Sequence, residues 1–180
     1  MSEPIPAEIR IGGQIRQDVV SGLCKAISEQ GVSLEWGDAC FRPGSTEDLL
    51  EGCQDRDGVR LLCLCDDQAN YGEFGILEKF LVGAGICFRR HSDAKYAFDS
   101  ELIEFRPAIG RVEFPSNNNG EHLVPLGKLS QIAAAVDKAT NTADRQAALE
   151  LLRRLRNLQQ LVHENMPIQV PPLEPFDILG

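Results

Sequence analysis

Five residues of this 180-residue chain have the types and positions to do chemistry: the adjacent carboxylates Asp66 and Asp67, then Arg89 and His91, and finally Arg106. Two carboxylates can hold a divalent cation. A nearby histidine can complete the ligand set or act as general base, which would make a metal-dependent hydrolase. Asp66 and Asp67 also stand where an apolar run gives way ahead of a helical pattern, the usual place for a ligand at the carboxyl end of a strand. Two arguments oppose convergence. Neighbouring residues of a strand point to opposite faces, so the two carboxylates need a turn to meet. In an antiparallel arrangement, His91 is expected at the far end of the sheet from Asp66. The five residues therefore stand as candidate binding residues. None is assigned as catalytic or as a metal ligand, and no cofactor is called for.

Other constellations are weaker. The six cysteines (24, 40, 53, 63, 65 and 87) contain no Cys-x-x-Cys, and Cys63 and Cys65 sit inside an apolar run. They read as structural thiols in a reducing compartment. The three histidines are far apart, and no Ser-His-Asp pattern with a nucleophile elbow is visible. Gly12-Gly13 lacks the third glycine and the downstream acid of a phosphate-binding loop, so it reads as a turn. Arg153, Arg154 and Arg156 read as a solvated helix face.

The elements that must position these residues centre on 59–92. Val59 to Cys65 is apolar on both alternating faces except at Arg60, as in a strand covered on both sides. Asp66-Asp67 is expected to end it. Asn70 and Glu73 have capping-box spacing, predicting a helix from Tyr71 with Phe74, Leu77, Phe80, Leu81 and Ala84 on one face and Gly85 as its left-handed cap. Ile86 to His91 resumes as a strand. Upstream, Ala7–Ile15 alternates as a half-buried strand. Arg16–Gln30 is a helix with a Val19, Val20, Leu23, Cys24, Ile27 stripe, and Val32–Trp36 alternates as a second strand. Ser45 or Thr46 caps a short helix reaching Cys53, and 54–58 is a polar connection. After Ser92 a meander is expected over 95–99, 101–106 and 111–115, followed by an exposed loop at 116–120.

This order predicts an α+β fold, a ferredoxin-like (split βαβ) sandwich extended by a β-meander, with an α/β three-layer arrangement as the alternative. The expected organisation is a sandwich domain over 1–120, a helical hairpin over 121–166 packed on the face implied by Leu62 and Leu64, and a proline-rich tail over 167–180 that docks through its apolar residues.

A net charge of −9 opposes a large phosphate footprint, so nucleic acid is not an expected partner. No run approaches the length of a membrane span, and no signal peptide is visible, so a cytoplasmic protein is expected. The leading functional expectation is a non-enzymatic binding or regulatory module acting through a protein partner or a homodimer. The alternatives are the metal-dependent hydrolase using Asp66, Asp67 and His91, and a small-ligand sensor domain.

Overall fold

The computed structural model describes residues 3–95, 98–121 and 169–179, with single positions at 123, 127, 130, 134 and 156. The chain divides into two units, Met1–His122 with Val170–Gly180, and Leu123–Gln169. The expected hairpin over 121–166 lies outside the described residues apart from isolated positions. Every element named below belongs to the first unit.

Strand β1 (Pro4–Gly12) buries Ile5, Ala7, Ile9 and Ile11 in alternation and turns Glu8 and Arg10 to the opposite face. A short strand β2 (Gln14–Arg16) and a 3-10 turn lead into α1 (Val20–Gln30). The expected stripe of α1 is buried at Val20, Leu23, Cys24 and Ile27, and Gly31 ends the helix at φ 79°. A six-residue helix, α2 (Thr46–Glu51), begins at a full capping box. The Ser45 side chain accepts from the Asp48 amide, and Asp48 accepts from the amides of Ser45 and Gly44.

Strands β3 (Cys53–Arg56) and β4 (Val59–Asn70) form a hairpin over Asp57-Gly58, whose φ values of 58° and 78° match the two-residue turn that suits strand twist. Helix α3 (Gly75–Ala84) then leads to β5 (Cys87–Ser92), followed by the hairpin of β6 (Glu101–Arg106) and β7 (Gly110–Pro115). The last strand, β8 (Asp177–Leu179), pairs in parallel with β2.

Among the described residues the main sheet has six strands in the order β3-β4-β1-β5-β6-β7, and every pairing between them is antiparallel. The fold is mixed α+β, and the three-layer alternative, which needs a parallel sheet, is overturned by this topology. One face of the sheet carries the core. There Ile9, Ile11, Leu62, Leu64 and Phe88 pack with Leu23 and Ile27 of α1 and Leu77 and Leu81 of α3. Arg90 is fully buried and pairs with Glu78 of α3 at 2.9 Å and with Glu101 of β6, tying three elements together. Among the described residues no helix is long and apolar enough to cross a membrane.

Several expectations need correction. Val32–Trp36 is not a strand: only Ser33 bridges Cys65, the Leu34 carbonyl accepts from the Gln54 side chain, and Trp36 is 47% exposed. The ladder position beside β4 belongs instead to β3, formed from residues expected to be a polar connection. Asp66-Asp67 does not end β4, which continues to Asn70 after a register shift opposite Ile5 and Ala7. α3 starts four residues later than expected because Tyr71 and Gly72 turn left-handed at φ 55° and 71°. Its first amides are met by other groups: Phe74 donates to Glu78, and Ile76 and Leu77 donate to Gln30 of α1. Leu62 and Leu64 belong to the helix-covered core, so they imply no second face. Among the described residues of 95–99 there is only a Lys95–Phe98 bridge.

Candidate functional site

The residues left on the other face follow from strand parity. Across the sheet, Cys63 of β4, Arg10 of β1, Arg89 of β5 and Glu104 of β6 are successive register partners. One pleat away lie Cys65, Glu8, His91 and Leu102. This face is therefore polar where the helix face is apolar. Two arginines stand directly opposite each other, an arrangement that costs energy unless anionic groups separate them.

Carboxylates supply part of that compensation. Arg10 pairs with Glu8 and lies 3.9 Å from Asp57, which is almost wholly exposed. Glu104, 6% exposed, receives Arg106 at 3.3 Å and lies 3.8 Å from Arg89. Arg106 is 7% exposed, and burial pulls its guanidinium below the ordinary arginine range. Its remaining donors go to the carbonyls of Phe88, Phe105 and Pro171, each at 2.9 Å.

Two chain segments wall this face. At one end the C-terminal strap crosses the sheet: Gly13 donates to Glu174 and Pro175, Phe176 donates to Arg60 at 2.8 Å, and Asp177 donates to Gly13. Phe176 is buried in the core cluster. Contact is close enough that a Cβ on Gly12 would lie 2.3 Å from the Glu174 oxygen, so only glycine fits there. At the other end, Arg89 donates to the Gly120 carbonyl at 2.9 Å, and Asn118 accepts from the Ala94 amide. The expected exposed tip at 116–120 is thus half tucked in, with Ser116 and Gly120 buried.

Between these walls lie two adjoining cavities of about 250 and 390 Å³ that share Arg10, Asp57 and Arg89. The smaller adds Glu8, His91, Asn119 and Gly120. The larger adds Arg56, Glu104 and Arg106, with Leu61, Val170 and Leu173 as an apolar margin.

Of the expected site residues, Arg89, His91 and Arg106 come together around these cavities. Asp66 and Asp67 do not line them: Asp66 accepts from the Gln68 amide and Asp67 from the Gly37 amide. The expectation that His91 lies at the far end of the sheet is wrong, because β4 and β5 both run antiparallel to β1 and so run parallel to each other. His91 is instead separated from Asp66 by an intervening strand. Among the described residues, no three His, Cys, Asp or Glu side chains gather to hold a metal ion.

His91 does approach a serine and an aspartate, with Nε2 at 2.9 Å from Ser100 Oγ and Nδ1 at 4.0 Å from Asp93. The same Nε2 lies 3.1 Å from the Asn117 carbonyl, which can only accept, so this network assigns the ring proton to Nε2. That nitrogen cannot then take a proton from Ser100, which is 4% exposed and itself donates to backbone carbonyls. The cluster is a buried hydrogen-bond network at the root of the loop. The thiols near this face are unreactive too: burial raises Cys63 and Cys87 and pushes Cys65 up to about 11.

Sequence reasoning missed Arg10, Glu8, Arg56, Asp57 and Glu104. The available signal was the outward phase of the strands, in which Glu8 and Arg10 alternate with Ile9 and Ile11. Compared with protein-family models, curated proteins and solved structures, the chain finds no match.

Proposed function

We propose that this protein is a non-enzymatic, cytoplasmic binding and regulatory module, and that the polar face of its sheet binds a small molecule carrying a carboxylate or phosphoryl group. The observation that carries the reading is the facing pair Arg10 and Arg89, set with Arg56 and Arg106 around cavities of small-ligand size. Guanidiniums keep their charge and offer forked donors that match planar oxyanions, which suits recognition rather than proton transfer. The mixed lining, with Glu8, Asp57 and Glu104 among the arginines, favours a compact ligand over a long anionic polymer, in keeping with the net charge of −9. Six free thiols fit a reducing compartment.

The proposal includes the finer fold. The order β3-β4-β1-β5, with α1 and α3 on one face, supports a ferredoxin-like split βαβ sandwich to which β6 and β7 add a meander. Regulation through a protein partner or a second copy completes the reading.

The test is thermal unfolding of the full chain with added phosphate, sulfate, acetate, succinate or citrate at matched ionic strength. One of these probes raises the midpoint saturably in the wild type, and the rise is lost in Arg10→Ala and in Arg89→Ala. No saturable rise with any probe up to about 10 mM, where an affinity in the millimolar range would register, overturns the reading.

A further inference from the structure

The two cavities differ in polarity along the strands. On one side of the facing pair Arg10 and Arg89, the pleat of Glu8 and His91 is polar, and Asn119 and Gly120 complete the smaller cavity. On the other side the pleat on β1 is Gly12, which has no side chain, and the strap crosses it. A Cβ there would lie 2.8 Å from Leu61 Cδ2 and 3.3 Å from Leu173 Cβ. Val59 and Leu61 of β4, with Val170, Pro172 and Leu173 of the strap, give the larger cavity an apolar end. Arg106 also lines that cavity, but Glu104 meets its charge at 3.3 Å and backbone carbonyls hold its other donors. Arg56 donates to Gln54 at 2.8 Å.

Arg10 and Arg89 are placed differently. Arg10 gives Nε to Glu8, and Arg89 gives one terminal nitrogen to the Gly120 carbonyl. Their other ion pairs are long: Arg10 approaches Asp57 to 3.9 Å and Arg89 approaches Glu104 to 3.8 Å, both beyond hydrogen-bond length. We propose, on the footing of the ligand-binding reading, that the ligand is an amphipathic carboxylate. Its single carboxylate lies between Arg10 and Arg89, and its apolar body runs toward the strap along Leu61, Val170 and Leu173. A second anionic group would lie either against the apolar end or beside Glu8 and Asp57, and both positions are unfavourable. The same acidic neighbours favour a singly charged head over a phosphoryl dianion. The larger cavity, about 390 Å³, has room for about a dozen water-sized groups, enough for a carboxylate with a short hydrocarbon chain or one aromatic ring.

The test is titration calorimetry of the full chain with acetate, butanoate and hexanoate, compared with succinate, phosphate and hexan-1-ol at matched ionic strength. Each methylene taken out of water tightens binding about fourfold when fully buried, so hexanoate binds about thirtyfold or more tighter than acetate. Succinate binds about tenfold more weakly than butanoate, and hexan-1-ol, which lacks the head group, does not bind. Arg10→Ala and Arg89→Ala abolish hexanoate binding. Val170→Ser and Leu173→Ser each narrow the ratio of hexanoate to acetate affinity by about threefold or more. Saturable binding of acetate or phosphate through Arg10 and Arg89, with no gain along the series or with succinate equal to butanoate, overturns the apolar body and leaves the anion reading standing. Binding of no probe overturns both. Hexan-1-ol binding as tightly as hexanoate overturns the proposal. So does a hexanoate affinity unchanged in the two arginine variants, or a ratio unchanged in the two strap variants, while circular dichroism shows them folded.

Discussion

Replacing Phe176 with alanine probes the strap that walls the candidate site. The ring is buried in the core cluster although it stands only a few residues from the chain's end. Truncating a buried phenylalanine in a fixed scaffold costs about 3–5 kcal/mol through lost transfer energy and the cavity left behind. The scaffold here is not fixed. Besides the parallel ladder of β8 with β2, backbone bonds tie the strap to its neighbours from Gly13 to Glu174 and Pro175, from Phe176 to Arg60 and from Asp177 to Gly13. Arg106 adds a side-chain bond, to the Pro171 carbonyl. At about 1 kcal/mol net apiece, these are of the same order as the cavity penalty.

In Phe176→Ala the strap therefore leaves before the body unfolds, and the loss of global stability falls short of the full penalty, at about 2–3 kcal/mol. Urea unfolding reads the global loss, and hydrogen exchange reads the local release. The amides of Gly13, Phe176 (alanine in the variant) and Asp177 lose protection, while those of Ile9 and Leu64 keep theirs. An unchanged urea midpoint together with unchanged exchange would refute the seated strap. A global loss with protection retained at Gly13 would refute its local release.

Two further predictions follow from the titrating groups. Burial pushes Cys53 and Cys65 up to about 11 and raises Cys24, Cys63 and Cys87, while Cys40 is exposed. Iodoacetamide at neutral pH should thus modify Cys40 first, and mass spectrometry finding Cys63 or Cys65 labelled earlier would contradict that burial. At the start of α2, amide donation from Gly44, with further hydrogen bonding from Ser45, holds the Asp48 carboxyl below its usual range. A carboxylate lowered by folding stabilises above its unfolded pKa, and the contribution disappears as pH falls through the folded value. The stability gap between wild type and Asp48→Asn should therefore be widest near neutrality and close in acid. A gap independent of pH would show that the charge does not contribute.

Much of the fold was legible because it rests on apolar spacing. The stripes of α1 and α3, the alternation of β1, the two-faced burial of β4 up to Cys65 and the left-handed glycines ending both long helices are all visible in one dimension. The misses have a common cause, since polar segments are placed by hydrogen bonding rather than burial. β3 has the polar sequence CQDR and sits at an edge, where its ladder with β4 holds it. Its clearest signal was Asp57-Gly58, a two-residue hairpin turn. Val32–Trp36 has the right alternation but its place in the ladder is occupied.

The site was half legible for the same reason. Arg89, His91 and Arg106 were recognised on their own strands. That Arg10 faces Arg89 depends on β1 lying beside β5, a non-local pairing no spacing reveals. Asp66 and Asp67 looked like the end of a strand, but β4 runs on past a register shift there, and they accept from the backbone amides of Gln68 and Gly37 instead.

The most direct test of the central claim is to follow the arginine Nε–Hε resonances by nuclear magnetic resonance while the most stabilising anion is titrated into the full chain. Binding at the polar sheet face shifts Arg10 and Arg89 along one saturating curve, and leaves Arg16, paired with Asp18 outside the cavities, in place. Shifts that grow without saturation, or that appear equally at Arg16, would reduce the groove to general ionic attraction and contradict the account.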